Sequence, residues 1–108
     1  MKRKTIRSHK DFFTTPDDPT YVGHWFIVKA KTAVKKDSRY GIIASKRSFK
    51  LAVHRNRAKR LLRDWIATNE NLMAPNKDYI FIARVPILEC SREVGRQKMA
   101  HAIKNLSK

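Results

Sequence analysis

The stretch KLAVHRNRAKRLLRDWIAT, Lys50–Thr68, decides how the chain folds. Ala58, Leu61, Leu62 and Trp65 recur at i, i+3, i+4 and i+7, which lines them up as one stripe of an α-helix. The opposite face holds Ala52, Asn56, Lys59, Arg60 and Arg63, with Arg55 and Arg57 flanking it on opposite sides. A helix divided in this way lays its stripe on a core and turns its cationic face to solvent. His54 falls on the apolar side and reads as packed or partly solvated, and Trp65 has the spacing of a core residue.

Strand signals stand on both sides of this helix. Upstream, RYGIIAS (Arg39–Ser45) is one strand. Before it, Tyr21–Lys31 alternates His24, Phe26, Val28 and Ala30 against Trp25, Ile27, Lys29 and Lys31. The polar turn Lys35–Ser38 between them predicts a hairpin. Downstream, Asn69–Lys77 with Pro75 is a loop. DYIFIARV (Asp78–Val85) is nearly all apolar, as expected of a strand buried on both faces or at the sheet centre, and Pro86 ends it. Ser91 caps a last helix, with Glu93 in its first turn and Met99, Ala102, Ile103 and Leu106 as its stripe. At the other end, Ser8-x-x-Asp11 starts a short helix with Phe12 and Phe13 that stops before Pro16, and Thr14–Thr20 is a loop. The order helix, two or three strands, helix, strand, helix predicts an α+β layer with helices packed on one sheet. The 108 residues make one domain, with residues 1–7 as a flexible basic arm.

Charge narrows the function. The chain carries 25 Lys+Arg against 9 Asp+Glu, a net charge of +16, and its 42% apolar share suffices for one modest core. Charge of one sign repels itself in a compact molecule, so a polyanionic partner, nucleic acid first, is expected. From Lys46 to Arg63 there are eight Lys/Arg and no acid, whereas a merely solvated helix face mixes signs in i,i+4 pairs. Arginine offers a planar fork to phosphate oxygens, and Asn56 both donates and accepts. No apolar run of membrane-spanning length and no secretory signal appear. The single cysteine, Cys90, makes neither an internal disulfide nor a zinc cluster and reads as an inert thiol. These features point to a reducing, cytoplasmic compartment. The four histidines show no metal-ligand spacing, and the acids are dispersed, which argues against a protein-only nuclease.

Ala44-Ser45-Lys46-Arg47, then Arg55-Asn56-Arg57, Lys59-Arg60 and Arg63, with Asp11-Phe12 upstream and DYIFIAR (Asp78–Arg84) downstream, resemble the signature of the bacterial ribonuclease P protein component. The train runs in the right order over nearly the whole chain. The resemblance implies an α-β-β-β-α-β-α sandwich like the second domain of ribosomal protein S5, with a left-handed βαβ crossover that departs from the usual hand. It implies a monomeric protein subunit bound to one catalytic RNA, the holoenzyme removing the 5′ leader of precursor tRNA. Mg²⁺ held by the RNA, with none bound tightly by the protein, would activate the attacking water. The protein would raise substrate and metal affinity.

The resemblance also assigns two surfaces. Lys46, Arg47, Lys50, Arg55, Asn56, Arg57, Lys59, Arg60 and Arg63 would face the catalytic RNA. A cleft between the first helix and the open sheet face would take the single-stranded leader, since single strands are held by basic grooves with aromatic platforms. Phe12 is the first candidate there and Phe13 the second, one of the two being core. Trp25 and Phe26, on opposite faces of their strand, are alternatives for the strand aromatic, and Lys29 is the other occupant of that position. Two departures stand out: Pro16 cuts the first helix short, and Ser48-Phe49-Lys50 lacks the glycine some relatives have. The competing reading is a ribosomal or structural RNA-binding protein without a processing role. A helix-turn-helix DNA binder would need a helix where RYGIIAS stands.

Overall fold

The computed structural model describes residues 4–6, 12, 15–33 and 38–106. Its strands are β1 (Lys4–Thr5), β2 (Thr20–Val22), β3 (Phe26–Thr32), β4 (Arg39–Ile43) and β5 (Lys77–Ala83). Its helices are α1 (Ala52–Thr68) and α2 (Arg92–Leu106), with 3₁₀ turns at Glu70–Leu72 and Val85–Glu89. The five strands form one mixed sheet in the order β1-β4-β5-β3-β2. Both helices pack on the same face, α1 over β4 and β5, α2 over β2 and β3.

β5 takes the centre because its apolar run satisfies both faces: Tyr79, Ile80 and Phe81 are all within 1% of full burial. It pairs in parallel with β4 (Ile42 opposite Phe81) and antiparallel with β3 (Val28 opposite Phe81). The hairpin expected between the Tyr21–Lys31 and Arg39–Ser45 strands is therefore absent, because β5 lies between them. β4, α1 and β5 form a βαβ unit instead.

The Tyr21–Lys31 segment is also two strands rather than one. The chain folds back at Gly23–Trp25, where the Gly23 N–H donates to the Phe26 carbonyl at 3.0 Å. Tyr21 then stands opposite Val28 and Val22 opposite Ile27. The sequence pattern shows no break at the turn, so periodicity alone concealed it. A second correction concerns the N-terminus. Lys4 and Thr5, expected in a flexible arm, pair in parallel with Arg39 and Tyr40, and Ile6 is 3% exposed. An apolar side chain at position 6 gains more from covering the sheet edge than from solvent. Phe13 and the Ser8–Asp11 capping pattern lie outside the described residues.

The core lies between sheet and helices. Phe26, Val28 and Ala30 of β3 and Tyr79, Phe81 and Ala83 of β5 meet Leu62, Trp65 and Ile66 of α1 and Met99, Ala102 and Ile103 of α2. The two helices cross at Gly95. A Cβ there would stand 1.9 Å from Trp65 Cζ2, so only glycine admits the indole. Ser91 caps α2 as expected, its Oγ accepting the Val94 N–H at 3.1 Å.

Candidate nucleic-acid interface

α1 presents the cationic face that its sequence demanded. Ala58, Leu61, Leu62, Trp65 and Ile66 are buried, and Asn56, Arg57, Arg60 and Arg63 are exposed on the other side. Lys59 is half-buried. His54, expected on the packed side, is exposed. It stands in the first turn, before α1 settles on the sheet, beside Val53, which is 66% exposed.

The loop before α1 is pinned at both ends. Ala44 and Phe49 are buried, and Lys46, Arg47 and Ser48 between them are exposed. The Ser48 N–H donates to Ser45 Oγ at 3.1 Å and the Phe49 N–H to the Ser45 carbonyl at 2.9 Å. Lys46 and Arg47 are thus displayed on a fixed turn. Arg55 has a role that spacing did not reveal. Its Nη1 donates to the carbonyls of Phe49 at 2.8 Å and Lys50 at 3.2 Å, tying that turn to the helix. Leu51 caps α1 without a side-chain hydrogen bond, and no acid lies in the first turn. The helix N-terminus therefore adds its partial positive charge to the same surface.

The second surface is the sheet face away from the helices. In register across it run Gly41, Ile80, Lys29 and Thr20, and beside them Ile43, Ile82, Ile27 and Val22. Phe12 covers Gly41: a Cβ on that glycine would stand 2.3 Å from Phe12 Cε1. Lys29 lies two strands away, roughly 10 Å along the sheet at the usual strand spacing. Ile80, which is buried, lies between them in register, and the next row, Ile43, Ile82 and Ile27, makes a half-buried isoleucine floor beside it. An aromatic ring at one side, an aliphatic floor and a lysine at the other suit a stacked base and its phosphate.

Two of the proposed leader contacts fall elsewhere. Phe26 is 1% exposed, and its ring centroid lies 5.9 Å from that of Trp65, so it is core. Trp25 is half-buried against the same core, and its carbonyl accepts the Arg84 N–H. Both residues line a cavity of about 100 Å³ with Lys98 of α2, on the helical side of the sheet. The fold-back at Gly23 breaks the alternation that had put them on opposite faces. Of the strand candidates, Lys29 alone is on the open face. Lys31, Ile27 and Ile82 are there too; the alternation with Lys29 was the signal for the first two.

Among the described residues, no group of three His, Cys, Asp or Glu side chains is placed to hold a metal, and no helix is long and apolar enough to cross a membrane. Cys90 is buried, and that burial pushes its thiol above its usual pKa, so it stays protonated. Arg92 at the start of α2 pairs with Asp64 of α1 at 3.3 Å, bringing a further arginine to the edge of the α1 face.

The family profile described as Ribonuclease P matches residues 1–107. The chain is 30% identical over 109 residues to the ribonuclease P protein component of Pseudomonas putida, covering 99% of this chain and 81% of that one. It is 31% identical over 104 residues to that of Lactobacillus delbrueckii subsp. bulgaricus, covering 94% and 86%. The RNase P protein of Staphylococcus aureus superposes with a TM-score of 0.77 at 26% identity over 96% of this chain and 95% of that one. The RNase P protein from Thermotoga maritima shares the fold with a TM-score of 0.78 at 21% identity, over 95% and 97% of the two chains.

Proposed function

The chain belongs to the ribonuclease P protein family, and from that premise we propose that it is the RNA-binding subunit that helps a catalytic RNA remove the 5′ leader of precursor tRNA. The observation that carries the reading is the separation of two surfaces. α1 displays Asn56, Arg57, Arg60 and Arg63, with Lys46, Arg47 and Lys50 on the turn and loop before it, as a ladder for a structured phosphate backbone. The opposite side of the sheet offers Phe12, an isoleucine floor and Lys29 to a single strand. One protein then bridges two RNAs, the catalytic RNA on the helix and the leader on the sheet.

The protein's work in this reading is binding and orientation. Arg57, Arg60 and Arg63 neutralise phosphates of the catalytic RNA and fix its register. Phe12 stacks on a leader base while Lys29 meets a nearby phosphate, and the added grip raises affinity for precursor over mature tRNA. In this reading the Mg²⁺ that activates the attacking water is held by the RNA. By screening repulsion between the two RNAs, the cationic subunit lowers the Mg²⁺ concentration the complex needs.

The test is cleavage of precursor tRNA by a bacterial ribonuclease P RNA at low Mg²⁺. Addition of the protein is expected to restore 5′ processing, and the protein alone is expected to give none. Cleavage by RNA-free protein, or no change on adding it, overturns the assignment. Tight RNA binding without any effect on cleavage identifies instead a structural RNA-binding protein.

A further inference from the structure

Between α1 and the start of α2 lies a cavity of about 240 Å³, lined by Arg57, Arg60, Leu61, Cys90, Ser91 and Arg92. We propose that this cavity seats one phosphodiester of the RNA bound by α1, gripped between Arg57 and Arg60 of one helix and Arg92 of the other. The proposal rests on the function argued above and adds to it a defined phosphate seat and a residue, Arg92, outside the α1 motif.

The charge arrangement is the main ground. Arg57 and Arg60 are neighbours at i,i+3 on α1, both exposed, with no acid between them. Arg92 brings a third guanidinium to the same cavity from a separate element. Three such groups repel in the absence of an anion. Asp64 meets Arg92 Nη1 at 3.3 Å and offsets one charge of the three. That pair is exposed, 62% at Arg92 and 38% at Asp64, so Arg92 can turn a prong to a ligand at little loss. Planar forks arriving from two helices suit the oxygens of a phosphate better than a point charge would.

The cavity wall agrees with this. Leu61 and the protonated Cys90 supply an apolar base that adds no negative charge. Ser91 Oγ is engaged by the Val94 N–H, which orders the first turn of α2 at the cavity edge. A water takes about 30 Å³ in the liquid, so the space holds several waters or a phosphate with part of its sugars. Glu93 lies in the same turn of α2 but is not among the lining residues.

The measurement is binding of full-length ribonuclease P RNA to the whole protein across a salt series, with a thermal melt of each variant. Arg92→Gln is expected to weaken binding about tenfold and to reduce the slope of log affinity against log salt by roughly one. Asp64→Asn breaks the same ion pair but leaves the cavity's cations, and affinity is expected to hold or rise. Arg63→Ala, on the α1 face but outside the cavity, reports on the broader reading. Unchanged affinity and slope for Arg92→Gln while Arg63→Ala weakens binding overturns the phosphate seat and leaves the RNA face standing. Equal losses for Arg92→Gln and Asp64→Asn also overturn it, since Arg92 then acts as a tie between helices. If Arg63→Ala too has no effect, the assignment of the α1 face itself has failed.

Discussion

Gly41 carries no side chain because Phe12 occupies the place of one. That single approach sets the aromatic side of the open-face cleft, and it separates two roles that a phenylalanine can play. Phe12→Ala is expected to weaken precursor tRNA more than mature tRNA, by roughly 1–3 kcal/mol for one base stack removed. Equal effects on the two ligands, beside a lowered melting temperature, would show a packing role instead. Gly41→Ala keeps the ring but drives it off the sheet and should shift the same discrimination in the same direction. Asp78 is a second residue whose weight the sequence understated. Its Oδ1 accepts the Arg39 N–H at 2.8 Å and its Oδ2 the Arg39 Nη2 at 3.0 Å, both side chains being at most 6% exposed. Asp78→Ala takes the carboxylate from a buried guanidinium and should cost about 3–5 kcal/mol in urea unfolding. A cost under 1 kcal/mol would mean that water or another carboxylate reaches Arg39.

At the scale of the element, α1 is a strip with two purposes, and substitutions should sort by face. Replacing both Arg60 and Arg63 with Ala removes self-repulsion and keeps good helix formers, so the melting temperature should hold or rise slightly. RNA affinity should fall, with the salt slope reduced by roughly one unit for each phosphate no longer neutralised. Leu62, fully buried, should behave in reverse: Leu62→Ala should cost about 2–5 kcal/mol of stability through a core cavity. Its RNA affinity should be intact wherever the variant remains folded. A double arginine variant that unfolds with an unchanged salt slope would turn the helix over. These faces were legible in the sequence because a period of 3.6 sorts apolar from charged positions without reference to any neighbour. The tie from Arg55 to the Phe49 and Lys50 carbonyls was not, since it depends on how the loop turns before the helix. The same holds for Gly95, which reads as a weak helix residue until Trp65 is placed against it.

For the whole molecule, a charge of +16 acts on folding and on binding with opposite signs. Salt screens repulsion within the folded chain, so thermal stability without RNA should rise from low to moderate ionic strength. Over the same range RNA affinity should fall steeply, because released counterions drive association. Melts and binding isotherms in one salt series check both trends; a protein destabilised by moderate salt would contradict the first. The sheet divides the molecule so that the two effects meet on different surfaces. Helices, and the α1 cations with them, lie on one side, and Phe12 with Lys29 on the other.

What the sequence determined by itself was whatever is written locally. The stripe and cationic face of α1, the Ser91 cap and stripe of α2, the apolar, interior character of the Asp78–Val85 strand and the expectation of a polyanionic partner all follow from period, propensity and charge. The family resemblance was written there as well, in the order of Arg55-Asn56-Arg57, Lys59-Arg60 and Arg63. The tertiary structure alone decided what depends on partners distant in the chain. It inserted β5 between β3 and β4, since a strand buried on both faces gains most at the centre. It folded the chain back at Gly23, where an alternating pattern reads the same on a strand and through a turn. That turn sent Trp25 and Phe26 to the helical side and left Lys29 on the open face. It also brought Arg92 to Arg57 and Arg60, because a cavity between two helices exists only once they have packed.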